Sequence, residues 1–489
     1  MNRLSRWSIA AALFLGLLFT SPQSHGQASD WHKIQAPPLH HFDIPMPKRI
    51  QLSNGMVIYL LEDHELPFIR LGMGFHGGRV SEPPEKAGLV SIFGEVWRTG
   101  GTKTKTGDEL DDYLEARAAS VETNGWQDAT SINLDCLKDN FDDVFKVMLD
   151  VLRDPEFRDD KLALAKTEAN SNVSRRNDSP FGIAYTQSKI LLYGADSPYA
   201  RINEYATIAS ITRQDLIEWY KRYVVPNNTM MTVTGDFDSK DMESRLRAAF
   251  ESWPRGPQFT QPKMTFQEPK PGIYFVEKSN VTASTIRMLE LGTTRRDPDY
   301  YALEVFNQFF GGSLSSRLFS DVRSKKGLAY DVGGGVGIEY DHPGMTSLSM
   351  ETKSNTTAAS IDALLAEVDA LGTNPVTPEE LQRAKDAILN SYVFRFDSPD
   401  KTLRVRSDNE FFGYPPDFVD KYRAGIEAVT LADVARVAQK HIHKDRLAIL
   451  VVGKAADFDR PLSAFGNVTT LDVSIPPPSS APGSSPGNQ

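Results

Sequence analysis

The chain has a single cysteine, Cys136, among its 489 residues. One thiol excludes an intramolecular disulfide framework and every zinc site built from several cysteines. Cys136 follows Ile132 and Leu134 at a spacing of two, which predicts a strand whose alternate side chains point into a core. We therefore expect the cysteine to be a small buried hydrophobe rather than a metal ligand or a disulfide partner.

Histidine is scarce where a metal site would need it. The nine histidines lie at positions 25, 32, 40, 41, 64, 76, 342, 441 and 443, so the stretch from 77 to 341 has none. Neither H-x-x-E-H nor H-E-x-x-H, the helical zinc motifs of two groups of peptidases, occurs anywhere in the chain. Without imidazole or thiolate, a site would need carboxylates alone, which suit magnesium or calcium better than zinc.

Long apolar runs are absent after the first residues. Arg3 and Arg6 precede an apolar segment from Ile9 to Phe19, and small residues that favour cleavage follow at 26–28. The pattern is typical of a secretory signal peptide, which we assign to residues 1–28, and no later stretch approaches the roughly 20 apolar residues of a membrane span. The expected location is periplasmic or secreted, and residues 29–43 are expected to form an irregular lead.

Excess positive charge is missing too. The chain has 54 lysines and arginines against 64 aspartates and glutamates, a formal net charge of −10. Proteins that bind nucleic acid neutralise phosphates with clustered basic residues, so this balance argues against a nucleic-acid partner.

A helix is predicted over residues 88–98, and its polar stripe is unusual. Leu89, Ile92, Phe93, Val96 and Trp97 recur at helical spacing and form the apolar stripe. The second stripe holds Ser91, Gly94, Glu95 and Arg98. Its first three positions have the spacing at which the inverted motif H-x-x-E-H places two zinc-binding imidazoles and a carboxylate base. The helix therefore has the spacing of that motif but lacks the two histidines that would bind zinc.

An internal repeat divides the chain into two halves. Asp178-Ser179-Pro180 recurs as Asp397-Ser398-Pro399, and three later features follow in the same order, with an offset that drifts only from 219 to 218. They are Tyr193-Gly194 with Phe412-Gly413, Ile211-Thr212 with Val429-Thr430, and apolar strands that end at Gly235 and Gly453. The repeat predicts homologous halves at 44–256 and 272–460, a linker at 257–271 and a Pro/Ser-rich tail at 461–489.

Several segments resemble the pitrilysin/insulinase/mitochondrial processing peptidase family of zinc metallopeptidases, in particular its bacterial short-chain branch. The first half carries Gly88-Leu89-Val90, Gly101-Thr102, ELDDYL at 109–114, LRDP at 152–155 and SPY at 197–199. The second half carries FGGSLSSRLF at 310–319 and VRSKKGLAY at 322–330. The resemblance implies an α+β fold of two α/β halves, each a mainly antiparallel sheet with helices on one face, that form a clam-shell chamber for extended peptides.

The resemblance also identifies what the first half has lost. In members that cut peptides, the first half supplies H-x-x-E-H and a glutamate about 75 residues later. The matching positions here are Ser91, Gly94, Glu95 and Asn172, and none of these side chains is able to perform its family role. We therefore expect no metal in this chain.

The second-half signature is intact. Leu314, Leu318, Phe319 and Val322 predict a helix that ends at Gly327. In the family, the residues that match Arg323 and Tyr330 reach across the chamber and hold the substrate carbonyl beside the metal of the other half. The resemblance therefore assigns the carbonyl clamp to Arg323 and Tyr330 and part of the chamber wall to Gly311 and Gly312.

Three functions remain open on the sequence alone. The favoured one is a non-catalytic, peptide-binding subunit of a periplasmic zinc metallopeptidase, which supplies Arg323 and Tyr330 in trans to a homologous partner that carries the zinc. The second is a peptidase-like scaffold or binding protein with no chemistry. The third is a self-sufficient metallopeptidase with a relocated metal held, for example, by His64, His76 and Glu95.

Overall fold

A computed structural model describes residues 44–478, and the predicted signal peptide and lead lie outside these residues. The first half contains a sheet of six strands, which we call sheet 1, with the spatial order β1-β2-β6-β3-β5-β4. Its strands are β1 (Lys48–Gln51), β2 (Val57–Glu62), β3 (Phe68–His76), β4 (Ser120–Gly125), β5 (Ala129–Leu137) and β6 (Thr229–Gly235). All neighbours are antiparallel except β2 and β6.

Eight helices connect these strands. They are α1 (Leu89–Thr99), α2 (Gly107–Glu115), α3 (Phe141–Arg153), α4 (Asp159–Arg175), α5 (Pro180–Tyr193), α6 (Tyr205–Ser210), α7 (Arg213–Tyr223) and α8 (Ser239–Phe250). The helix predicted over residues 88–98 is thus α1.

The second half contains another six-stranded sheet, sheet 2, with the order β10-β12-β8-β13-β7-β14. Its strands are β7 (Gly272–Glu277), β8 (Ala283–Leu291), β10 (Ala329–Gly335), β12 (Met345–Lys353), β13 (Ala448–Gly453) and β14 (Val468–Thr470). The short strands β9 (Thr293–Thr294) and β11 (Ile338–Glu339) pair separately. The helices are α9 (Tyr300–Phe310), α10 (Thr357–Thr373), α11 (Pro378–Tyr392), α12 (Pro399–Phe411), α13 (Phe418–Ala428) and α14 (Leu431–His441), together with a π-helix at Leu318–Lys325.

The two sheets have the same topology. Strands β2 to β6 correspond in order to β7, β8, β10, β12 and β13, and in each sheet the single parallel pair inside this set joins its first and last members. The strands that end at Gly235 and Gly453 are the equivalent β6 and β13. The expected fold class, α+β with two homologous halves, is therefore confirmed.

Helices cover one face of each sheet and form its core. Behind sheet 1, Phe93, Val96 and Trp97 of α1 are fully buried, and Cys136 points into the same core as predicted. Behind sheet 2, Leu303 and Phe306 of α9 are equally buried against Ile286 and Met288. Among the described residues, no helix is both long enough and apolar enough to cross a membrane.

Each half sends one helix across to the inner face of the other sheet. Helix α5 of the first half lies on β8 and β13, and helix α12 of the second half lies on β2 and β6. These are the repeated Ser-Pro helices: the hydroxyls of Ser179 and Ser398 each accept a hydrogen bond from a backbone N–H of the first turn, with proline at its start. The Asp-Ser-Pro repeat found in the sequence thus marks the start of the two helices that the halves exchange.

The segment assigned to a tail does contribute to the fold. Strand β14 lies within residues 461–489 and pairs in parallel with β7 at the edge of sheet 2. Leu471 and Val473 then pack on a small cluster formed by α5 with β7 and β13. A strand of three residues in a proline-rich context has too few alternating positions to be recognised from sequence. The tail boundary at 461 was therefore set too early.

Candidate functional site

Within the degenerate stripe of α1, Gly94 is covered by strand β4. A Cβ placed on Gly94 would lie 2.5 Å from the carbonyl carbon of Asn124 and closer still to the backbone nitrogen of Gly125. The hydroxyl of Thr123 donates a 2.5 Å hydrogen bond to the Gly94 carbonyl oxygen. The sequence suggested an open polar face, but here helix and strand backbones are in direct contact. A glutamate at position 94 would collide with β4.

The remaining family metal positions do not form a zinc site. Ser91 and Asn172 are exposed, and neither offers imidazole or thiolate. Glu95 is half-buried, and its pKa is raised by burial and then by the neighbouring carboxylate of Glu168. The neighbour that acts on Glu95 is another acid, so no cation offsets the burial of its carboxylate. The donor set does not fit zinc.

The example of a relocated metal site, His64 with His76 and Glu95, is wrong. His64 lies on the exposed loop after β2, where its Nδ1 is 2.6 Å from the Asp236 carboxylate. His76 ends β3 and is stacked between Phe259 and Phe411, with burial lowering its pKa to about 4. These two histidines and Glu95 do not bring ligand atoms together.

Within residues 44–478, one group of three possible ligands does converge: Asp297, Asp299 and His441. The Asp299 carboxylate already accepts from Arg436 at 2.5 Å and from Lys440 at 2.7 Å, and these cations hold its pKa at about 2. Asp297 accepts from the hydroxyl of Thr293 at 2.8 Å. The group is therefore an ion-pair network that anchors α9 to α14.

Arg323 is presented on an irregular helix. Residues 318–325 form a π-helix, and Leu314, predicted to lie within this helix, is instead 77% exposed in the loop before it. The Arg323 guanidinium lies 4.7 Å from the ring of Phe319 and, within residues 44–478, has no carboxylate in ion-pair range. π-helical turns frequently mark functional sites.

Tyr330 lies at a second irregularity. The register of β10 with β12 shifts between Ala329 and Asp331, so Tyr330 occupies a β-bulge on an edge strand. Its ring is 55% exposed. Gly327, at φ +67°, makes the tight turn that joins the π-helix to this strand. Arg323 and Tyr330 thus flank one exposed corner, as the sequence predicted, with side chains that the rest of the described chain leaves unbonded.

A cleft of about 670 Å³ opens beside this corner. Gly311 and Gly312 line it, together with the glycine-rich strand β10 and Ser347 and Ser349 of β12. A Cβ on Gly311 or Gly334 would collide with backbone atoms, so the segments that border the cleft pack closely only because both positions are glycine. Gly311 and Gly312 thus lie at a cleft, and their role as the wall of a peptide chamber stays a prediction.

A larger cavity of about 910 Å³ lies between sheet 1 and α12 and was not anticipated from the sequence. Asp128 and Asp408 line it, and burial raises the pKa of each to about 6. Thr234 also lines it, with a buried hydroxyl that has no hydrogen-bond partner. Both aspartates are ordinary surface residues by sequence pattern, and the folded chain buries them in part at this cavity.

Two duplicated halves, a chamber lined by both, and a helix whose Gly94 is closed by the neighbouring strand define a peptidase-like protein in which the matching positions between residues 44 and 478 offer no zinc donor set. A sequence model described as Insulinase (Peptidase family M16) matches residues 57–185, and one described as Peptidase M16 inactive domain matches residues 210–388. Together they cover more than half of the chain. The chain belongs to the insulinase family of peptidases.

Relatives resemble this chain along most of its sequence, and a solved structure shares its fold. An uncharacterized zinc protease, YmxG, from Bacillus subtilis is 24% identical, over 83% of this chain and 98% of the relative. A non-peptidase homolog, YmxG, from Helicobacter pylori is 21% identical, over 83% and 93%. The crystal structure of a peptidase M16 inactive domain from Pseudomonas fluorescens superposes with a TM-score of 0.73 at 22% identity, covering 83% of this chain and 98% of that one.

Proposed function

We propose that this chain is the non-catalytic, peptide-binding subunit of a zinc metallopeptidase and supplies Arg323 and Tyr330 to a homologous partner that carries the zinc. The observation that carries the proposal is the contrast between the two halves. In the first half the metal position is closed by β4. In the second half, a cation and a phenol stand exposed and unbonded at the corner of a cleft.

The chemistry of these two side chains suits a peptide carbonyl. A guanidinium and a phenol both donate hydrogen bonds, and donors that are already aimed at a developing oxyanion stabilise the transition state of peptide hydrolysis. The partner would provide the zinc-bound water and its base, while this chain provides donors and a chamber wall. The apolar run at Ile9 to Phe19 supports an exported, periplasmic assembly.

The test is reconstitution. The purified chain is mixed with an H-x-x-E-H homologue from the same organism, and complex formation and cleavage of fluorogenic peptides are measured. We expect a complex that cleaves, with Arg323→Ala and Tyr330→Phe each lowering kcat about 10- to 1,000-fold, as the removal of an oxyanion donor does. Lys325→Ala is the matched control, because this exposed cation on the same helix is bonded to Asp321 at 2.5 Å.

Two results would count against the proposal. If no complex forms, or if both substitutions leave kcat unchanged, the chain does not act as a clamp subunit. A complex that forms without cleaving peptides would favour the alternative of an inert peptidase-like scaffold.

A further inference from the structure

Arg287 is a buried cation without a counter-ion. It lies on β8, in the centre of sheet 2, and only 7% of its surface is exposed. Its Nε has no hydrogen-bond partner, and its Nη1 reaches only the sulfur of Met345, at 3.8 Å. No carboxylate within residues 44–478 lies in ion-pair range of the guanidinium. Since a buried charge is normally paired, this residue requires an explanation.

The residues around Arg287 define where an anion could approach. On the inner face of sheet 2 it is flanked by Leu450 of β13 and Ser349 of β12. Phe181 and Tyr185 of the crossing helix α5 lie over it, with ring centroids 5.1 and 5.7 Å from the guanidinium carbon. Both rings are about half exposed and make cation–π contacts with the guanidinium, and the cleft residue Ser349 lies beside it on the neighbouring strand.

The other half of the repeat has a paired arginine on the equivalent strand, two residues from the position that corresponds to Arg287, which is Gly72. On sheet 1, Arg70 of β3 binds the carboxylate of Asp135 at 2.6 Å and that of Asp400, from the crossing helix α12, at 2.8 Å. Asp400 is the third residue after Asp397, and its counterpart in the repeat, the third residue after Asp178, is Phe181. The crossing helix therefore supplies an acid to the arginine in one half and an aromatic ring in the other.

A second polar group without a partner lies on the same face. The Ser347 hydroxyl is buried and unbonded, two residues along β12 from the Ser349 that pairs with Arg287. Ser347 lines the 670 Å³ cleft that ends at the Arg323 and Tyr330 corner. Arg287 itself does not line the cleft, but it pairs with the cleft residue Ser349, so a guanidinium and a hydroxyl lie on one sheet face as a donor set for a carboxylate.

We propose that Arg287, with the hydroxyl of Ser347, binds a carboxylate of the peptide held in the cleft, so that this subunit selects peptides with a free C-terminus or an acidic side chain. The inference rests on the proposed peptide-binding function. It adds a chemical class of ligand that the clamp residues, which address a neutral carbonyl, do not specify.

The test uses isothermal titration calorimetry on the full chain with four alternating Ala/Val nonapeptides. One has both ends blocked, one has a free C-terminal carboxylate, one is blocked with a central glutamate, and one is blocked with a central lysine. We expect the carboxylate source that fits the site to bind about tenfold or more tightly than the neutral peptide, as a charge-assisted hydrogen bond provides. The two acidic peptides distinguish a C-terminus from a side chain.

Two variants test the residue directly. Arg287→Met should abolish the preference for the carboxylate. Phe181→Asp should abolish it while retaining the fold, because it supplies an internal counter-ion as Asp400 does for Arg70. Leu164→Asp is the matched control, since Leu164 is 59% exposed and Phe181 60%. Equal binding of all four peptides, or a preference that survives both substitutions, overturns the anion site and leaves the peptide-binding function standing. Failure of every peptide to bind would instead overturn the peptide-binding function.

Discussion

Gly94 shows how one residue can be read in two ways. In the sequence it occupies the position of the family's catalytic glutamate, and the pattern indicates only that this side chain is missing. In the structure, Gly94 allows the α1 backbone to contact β4, where Gly125 in turn lies against the Val90 carbonyl. The loss of the metal site is therefore built into the packing of the first half.

This packing predicts that the zinc motif cannot be restored by substitution. The triple variant Ser91→His, Gly94→Glu, Glu95→His has the full H-x-x-E-H motif, but its glutamate would overlap the backbone of β4. We expect a free energy of unfolding lower by about 2–4 kcal/mol, typical of overpacking against rigid backbone, and no stoichiometric zinc by metal analysis. Ser91→His alone, at an exposed position, should change stability by less than about 0.5 kcal/mol. A triple variant that binds one zinc at undiminished stability would contradict the packing argument.

At the scale of elements, the two crossing helices are equivalent in the repeat but dock differently. Helix α5 buries Ile183 and Ala184 against Val276, Leu450 and Val452 in an apolar cluster. Helix α12 docks through ions, with Glu410 accepting from Arg49 and Tyr59, and encloses the 910 Å³ cavity. Because α12 docks through charged and polar side chains, the inner face of sheet 1 has a polar lining.

The cavity under α12 should make stability depend on pH through Asp408. Burial raises its pKa from 3.8 to about 6, so the folded protein holds this proton more tightly than the unfolded chain does. The stabilisation is present below about pH 4 and is lost as the pH rises to about 6, above which the buried charge costs about 2–3 kcal/mol. Asp408→Asn should therefore stabilise the protein by about 1–3 kcal/mol at pH 7.5 and by little at pH 4.

Urea denaturation at the two pH values measures this difference. Asp386→Asn is a suitable control, since this exposed aspartate on α11 should give changes within about 0.5 kcal/mol at both. An Asp408→Asn variant that is less stable than the parent at pH 7.5 would mean that the carboxylate is bonded in solution.

Most elements could be predicted because their signals are local. The apolar spacing of α1, the alternation of β5 and the repeated Ser-Pro caps each depend on a few adjacent residues. The bulge at Tyr330, the π-helical turn and β14 depend on pairing with distant strands, so no local pattern marks them. Arg287 could have been suspected, since it interrupts the apolar run of β8, but its missing partner is visible only when Phe181 and Asp400 are compared across the repeat.

At the scale of the whole molecule, the exchange of helices makes each half depend on the other. Residues 44–271 alone would expose the apolar face of α5 and the inner face of sheet 1, while residues 272–478 alone would leave Leu450 and Val452 uncovered. The C-terminal segment adds a further link, because the side chain of Asn177 donates to the Val473 carbonyl oxygen and Ile475 packs on the first core.

We therefore expect residues 44–478 to unfold in one cooperative transition and the separate halves to be markedly less stable. Each large apolar side chain left uncovered costs about 1.5–3 kcal/mol, so the loss of this cluster is a large share of the net stability of a domain. Urea unfolding of residues 44–271 should begin at lower denaturant with a shallower slope, and coexpression with residues 272–478 should restore a complex with the original midpoint. A separate first half that unfolds as steeply as the intact chain, at the same urea concentration, would mean that the crossing helices contribute no coupling between the halves.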